Sequence, residues 1–172
     1  MFASRRGFAI AGTTGSALAM LAACSNSHGR GDTQPSASAL PSNQQEGAPY
    51  PADMEHLDQI LSLKGGQTLP EGAHVVSVKP ATNFARVFPG GWGYVIAFTA
   101  TDSSIRAYVT ERTGNPGKLI ERYPAALKVE GGLEDIDLSD ISNPWNCGLG
   151  QANVLLERPL GRGWLVILGG PR

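Results

Sequence analysis

Cys147 is the residue best equipped for chemistry, because a thiolate becomes a strong nucleophile once a base has taken its proton. The chain carries 2 cysteines and 3 histidines. Cys24 closes an apolar leader and is consumed there, so Cys147 has no intrachain disulfide partner. In the globular part the base would have to be His56 or His74. His56 follows the first turn of an amphipathic segment, and His74 opens a β-branched run. Neither spacing describes a dyad, so Cys147 reads as a small buried hydrophobe. Glu134, Asp135, Asp137 and Asp140 are the next candidates, since a hard cation takes several carboxylate oxygens from one turn. A calcium loop opening at Asp135 needs Gly at its sixth place and Glu at its twelfth. Asp140 and Asn146 stand there instead, so the cluster reads as a solvated acidic loop. There is no Gly-x-Ser-x-Gly elbow and no zinc-like set of Cys and His. Gly65-Gly66 and Gly161-x-Gly163 read as turns. The expectation is no catalytic residue, no metal and no cofactor.

The stretch Met1–Cys24 carries the clearest signal. Arg5 and Arg6 form a basic head, and a weakly apolar run follows from Phe8 to Ala23. At about 16 residues it is short for a bilayer span, which needs roughly 20. A basic head, a short apolar middle and small residues at a cleavage point describe an export signal. Leu21-Ala22-Ala23-Cys24 closes it. This ending resembles the lipobox of bacterial lipoproteins at every position. The resemblance implies diacylglyceryl transfer onto the Cys24 sulfur, cleavage after Ala23, and a membrane anchor of two or three acyl chains. Ser4-Arg5-Arg6-Gly7-Phe8 also resembles a twin-arginine export motif, departing from it at Ala9 and Ile10; ordinary export through any two positive charges is the alternative.

The composition then changes. Ser25 to about Pro49 is dominated by Ser, Asn, Gly, Gln, Pro and Thr, a stretch unable to offset the entropy of ordering itself. It reads as a tether over 24–50, after a signal peptide over 1–23. Arg30-Gly31-Asp32 spells an adhesion tripeptide, but three-residue matches arise by chance. Residues 51–172 hold 11 basic and 13 acidic side chains, which predicts no basic patch and no nucleic-acid partner.

Residues 51–172 suit one domain with a real core. Asp53 is placed to cap a helix running to about Lys64, with Met54, Leu57, Ile60 and Leu61 on one face. His74–Lys79 reads as a strand, Asn83–Phe88 as a shorter second one. Trp92–Thr99 is apolar on both faces, the pattern of a central strand. Asp102 is expected to cap a helix over Ser103–Arg112, on which Ile105, Tyr108 and Val109 share a face. Lys118–Asn146 lacks a period and reads as a long loop with a function or hidden structure. Gln151–Glu157 and Trp164–Leu168 form a hairpin. The predicted fold class is α+β: an antiparallel sheet of four to five strands with two helices packed on one face.

Leu69-Pro70-Glu71-Gly72-Ala73 and Phe98-Thr99-Ala100 resemble segments of small secreted bacterial lipoproteins of unassigned function, and the likeness brings no activity with it. The expected role is a membrane-anchored, non-catalytic binding or accessory module with an envelope protein or glycan as partner. Capture of a small ligand between sheet and loop is the alternative, and an enzyme using Cys147 the third.

Overall fold

The computed structural model describes residues 42–126 and 132–171. Arg5, Arg6, Phe8, Leu21, Ala22, Ala23 and Cys24 lie outside the described residues. Among the described residues five strands form one antiparallel sheet: β1 (His74–Pro80), β2 (Trp92–Thr99), β3 (Trp145–Gly148), β4 (Ala152–Leu156) and β5 (Arg162–Gly169). Their order is β1-β2-β5-β4-β3, which makes β1 and β3 the edges. Among the described residues three α-helices accompany them: α1 (Leu57–Leu61), α2 (Thr82–Val87) and α3 (Asp102–Thr113). The fold is α+β, as the sequence predicts.

Strand alternation divides the core in two. Trp92, Tyr94, Ile96 and Phe98 of β2 point to one face, with Leu165 and Ile167 of β5 and Val154 and Leu156 of β4. Ile60 of α1 and Ile105, Tyr108 and Val109 of α3 cover them, so these two helices share a face. Tyr108 is buried there; its hydroxyl donates to the Thr68 carbonyl at 2.9 Å, and burial pushes its pKa up to about 12. Val95, Val166 and Leu155 point the other way, under Ala81, Phe84, Leu133, Ile136 and Ile141. Both faces of β2 are therefore apolar because both are covered.

Four expectations need correction. Asn83–Phe88 is not a strand; Thr82–Val87 is helix α2. Its N-terminal residue Ala81 has no capping side chain. Instead the Asp135 carboxylate accepts the Asn83 N–H at 2.7 Å and the Phe84 N–H at 3.1 Å. The first helix is shorter than predicted, because Lys64, Gly65 and Gly66 all take positive φ and unwind the chain. Asp53 still accepts the His56 N–H at 3.1 Å, but Met54 faces water rather than the core. On α3 the cap is Thr101, whose hydroxyl accepts the Ser104 N–H at 3.2 Å. Asp102 sits in the first turn and pairs with Arg106 at 2.7 Å. Finally, Asn43–Tyr50, assigned above to the tether, packs on the domain. Gln45 accepts the Gly93 N–H at 2.9 Å, Tyr50 exchanges hydrogen bonds with the Tyr94 hydroxyl, and Asn43 donates to Asp53. The folded region therefore begins at or before Asn43, not at residue 51.

Candidate functional site

Cys147 lies on β3 and His74 on β1, at opposite edges of the sheet. Four strand spacings separate them by about 19 Å, so they form no dyad. The half-buried Cys147 sulfur instead accepts from Asn115 Nδ2 at 3.2 Å. His56 is engaged elsewhere, with its Nδ1 2.7 Å from Asp53 Oδ1. Hydrogen bonding from His56 holds the Asp53 carboxyl below its ordinary value. The three groups weighed as a thiol-enzyme centre are thus in separate places.

The acidic cluster comes together differently. Asp135 is spent on the α2 N-terminus. Asp137 caps the short 3₁₀ turn Leu138–Asp140 by accepting the Ser139 N–H at 2.9 Å. Hydrogen bonds from Ser139 keep the Asp137 carboxyl below the usual carboxylate range. Among the described residues no group of three His, Cys, Asp or Glu side chains is arranged to hold a metal ion. Two of the acids are therefore structural caps, a use of Asp that competes with ligation.

What the cluster does form is one wall of a groove of about 300 Å³ on the second face of the sheet. The floor there is Ser77 on β1, Ala97 on β2 and Trp164 on β5, three residues in register across adjacent strands. Asp137 and Asp140 stand on the loop side, with Lys79 and Arg162 rising from the sheet. Arg162 is held by Glu157 at 2.8 Å and by the Asp140 carbonyl at 2.7 Å, and its guanidinium lies 5.1 Å from the Trp164 ring centroid. That hydrogen bonding draws the Glu157 carboxyl below its ordinary value.

Lys79 and the Asp140 carboxylate have no ion-pair partner among the described residues. A free cation and a free anion line the groove beside a half-buried indole. That combination offers hydrogen bonding of both polarities and one stacking surface to a polar ligand. The sequence reading found the acids but not Lys79, Ser77 or Trp164, which come from two strands far apart in sequence, β1 and β5. One signal was available: Arg162 and Trp164 are two apart on a strand and so share a face.

A second depression, of about 650 Å³, lies near both ends of the described chain, lined by Gln45, Gly47, Gly90, Trp92 and Pro171. Lys64 Nζ stands 5.6 Å from the Trp92 ring centroid nearby. Among the described residues no helix is long and apolar enough to cross a membrane. No family model matches the chain, and no curated protein or solved structure matches it.

Proposed function

We propose that the chain is an exported, lipid-anchored envelope protein whose folded part is a non-catalytic binding or accessory module. The observation that carries this is Leu21-Ala22-Ala23-Cys24, set after Arg5, Arg6 and a short apolar run beginning at Phe8, and before a polar stretch. In this reading Cys24 carries the lipid and the membrane is the first partner. Two or three acyl chains on one cysteine hold firmly where a single chain does not. The twin-arginine likeness at Ser4–Phe8 makes export of an already folded domain the proposed route.

The groove supports a binding role and suggests what it takes. Its Lys79 and Asp140, without an ion-pair partner among the described residues, and Trp164 on the groove floor suit a polar envelope glycan better than an apolar ligand. Capture of a small polar molecule in the same groove is the second reading.

Two measurements test the proposal. Changing Cys24 to Ala is expected to move the protein from the membrane pellet to the soluble envelope fraction or the medium. Firm retention in the pellet would sink the lipoprotein reading. For the groove, Lys79→Ala combined with Asp140→Asn is expected to weaken capture of envelope glycan fragments by about tenfold or more, the scale of one lost charged contact. Both positions are exposed, so the fold should persist. Unchanged capture would remove the groove from the binding role.

A further inference from the structure

Val87 and Phe88 are adjacent large apolar residues that the fold leaves in water, at 69% and 49% exposure. Scattered single apolar residues on a surface need no explanation. A neighbouring pair at the tip of a turn does. Phe88 is held in place rather than loose: its ring stacks on Phe84 with centroids 5.7 Å apart. A Cβ built on Gly91 would lie 2.9 Å from its Cδ1, and one on Gly170 would lie 3.4 Å from its Cε1. The Pro89-Gly90-Gly91 turn and the last described residues therefore buttress the ring.

The same turn receives the incoming chain. A Cβ on Gly47 would lie 3.7 Å from Trp92 and 4.0 Å from the Gly90 carbonyl oxygen. Gly47, in the segment that leads back toward Cys24, thus packs on Gly90 and Trp92, and Phe88 on Gly91. Ser42, the first described residue, is 18 positions after Cys24. Even fully extended, that length of chain spans no more than about 65 Å. The described chain thus joins the fold at the end that bears Val87 and Phe88, and that end lies within reach of a surface holding Cys24. Arg86, exposed and adjacent to the pair, supplies a cation toward anionic headgroups; Glu46 is the acidic residue lining the neighbouring depression.

We infer that the Val87–Phe88 tip seats in the surface of the bilayer to which Cys24 tethers the protein, so that the domain is oriented rather than freely hanging. The inference rests on the lipid-anchor reading proposed above. Two side chains alone bind a membrane weakly. Tethering makes the contact intramolecular, and a weak contact at a high effective concentration is then occupied.

The test uses the full lipidated protein in vesicles of phosphatidylglycerol and phosphatidylethanolamine. A nitroxide is attached at Val87→Cys in a Cys147→Ser background, and a control label at Val76→Cys, an exposed position on β1. Flotation with the vesicles is scored first. The expected result is flotation together with a label at 87 that collides readily with oxygen and several-fold less with a water-soluble nickel complex than the label at 76. Adding Phe88→Asp should return position 87 to the behaviour of position 76. Flotation with equal nickel access at both positions overturns the docking while leaving the anchor intact. Shielding from oxygen and nickel alike also overturns it, since that signature belongs to a protein contact with a second copy or with the chain's own preceding segment. Failure to float removes the anchor, and the docking with it.

Discussion

Gly117→Ala is expected to lower the thermal midpoint of the domain by roughly 10 °C or more, although it adds one methyl group. Gly117 is buried, at the start of the 3₁₀ turn Gly117–Arg122. A Cβ there would overlap the Arg106 carbonyl oxygen on α3 and lie 2.8 Å from the Arg106 carbonyl carbon. The obstacle is backbone, so no rotamer change relieves it. The turn would have to lift off the helix. Lifting it strains the Gly117 N–H bond to Thr110 Oγ1 at 3.0 Å and the Arg106 bond to the Gly117 carbonyl at 2.9 Å. It also disturbs the Arg106–Glu121 pair at 2.6 Å, which raises the Arg106 pKa and lowers that of Glu121. Overpacking costs about 1–3 kcal/mol and each lost hydrogen bond about 1 kcal/mol, so a total near 3 kcal/mol or more is expected. Gly114→Ala is the control. Gly114 takes φ 70° with nothing within 4 Å of its Cβ, so only the left-handed backbone is penalised, by about 1 kcal/mol. Calorimetric melting of both variants decides the matter. Equal small losses would mean that the 3₁₀ turn is not packed on α3 as described.

That turn belongs to the region in which sequence reasoning found no period, and the physical reason is instructive. Elements whose stabilisation is local or periodic were legible: β2 from its two apolar faces, α3 from Ile105, Tyr108 and Val109, and the β4–β5 hairpin from its alternation and turn. Elements specified by distant partners were not. Thr82–Val87 contains good strand formers and becomes helical because Asp135, some 50 residues on, accepts the Asn83 and Phe84 N–H groups. β3 is four residues, Trp-Asn-Cys-Gly, and is a strand through its pairing with β4. The acidic cluster resembled a loop because Asp135 caps a distant helix and Asp137 caps only the three-residue turn beside it. The groove was half legible for the same reason. Its acids are contiguous in sequence, whereas Ser77, Lys79 and Trp164 meet Asp140 only once the sheet is formed.

Arg158 is the other clamp on that region, and Arg158→Met is expected to cost about 3–5 kcal/mol. The side chain is 3% exposed and has no carboxylate partner among the described residues. Its charge is held by neutral oxygens instead. Nε donates to the Asn143 carbonyl at 2.7 Å, and Nη2 to Asn143 Oδ1 at 2.7 Å. Nη1 donates to the Ile120 carbonyl at 2.8 Å and the Tyr123 carbonyl at 2.6 Å. Those last two carbonyls end the 3₁₀ turn that begins at Gly117, so one guanidinium ties the turn to the Asn143 loop and to the end of β4. Methionine fills similar volume but takes the donor from the Asn143 and Tyr123 carbonyls and from Asn143 Oδ1, and leaves the Ile120 carbonyl with the Tyr123 N–H alone, at 3.4 Å. Desolvation of the acceptors beneath the side chain, the buried Ile120 carbonyl first among them, outweighs what is regained by removing a buried charge. Arg158→Lys separates the two contributions. It keeps the charge but offers a point ammonium that cannot reach both pairs of oxygens in the guanidinium's plane. It should recover less than half of the loss in a denaturant titration. If Arg158→Lys were as stable as the native chain, charge rather than fork geometry would hold the region. If Arg158→Met cost under about 1 kcal/mol, the Ile120 and Tyr123 carbonyls would have to be hydrated, and the turn would be no part of the buried core.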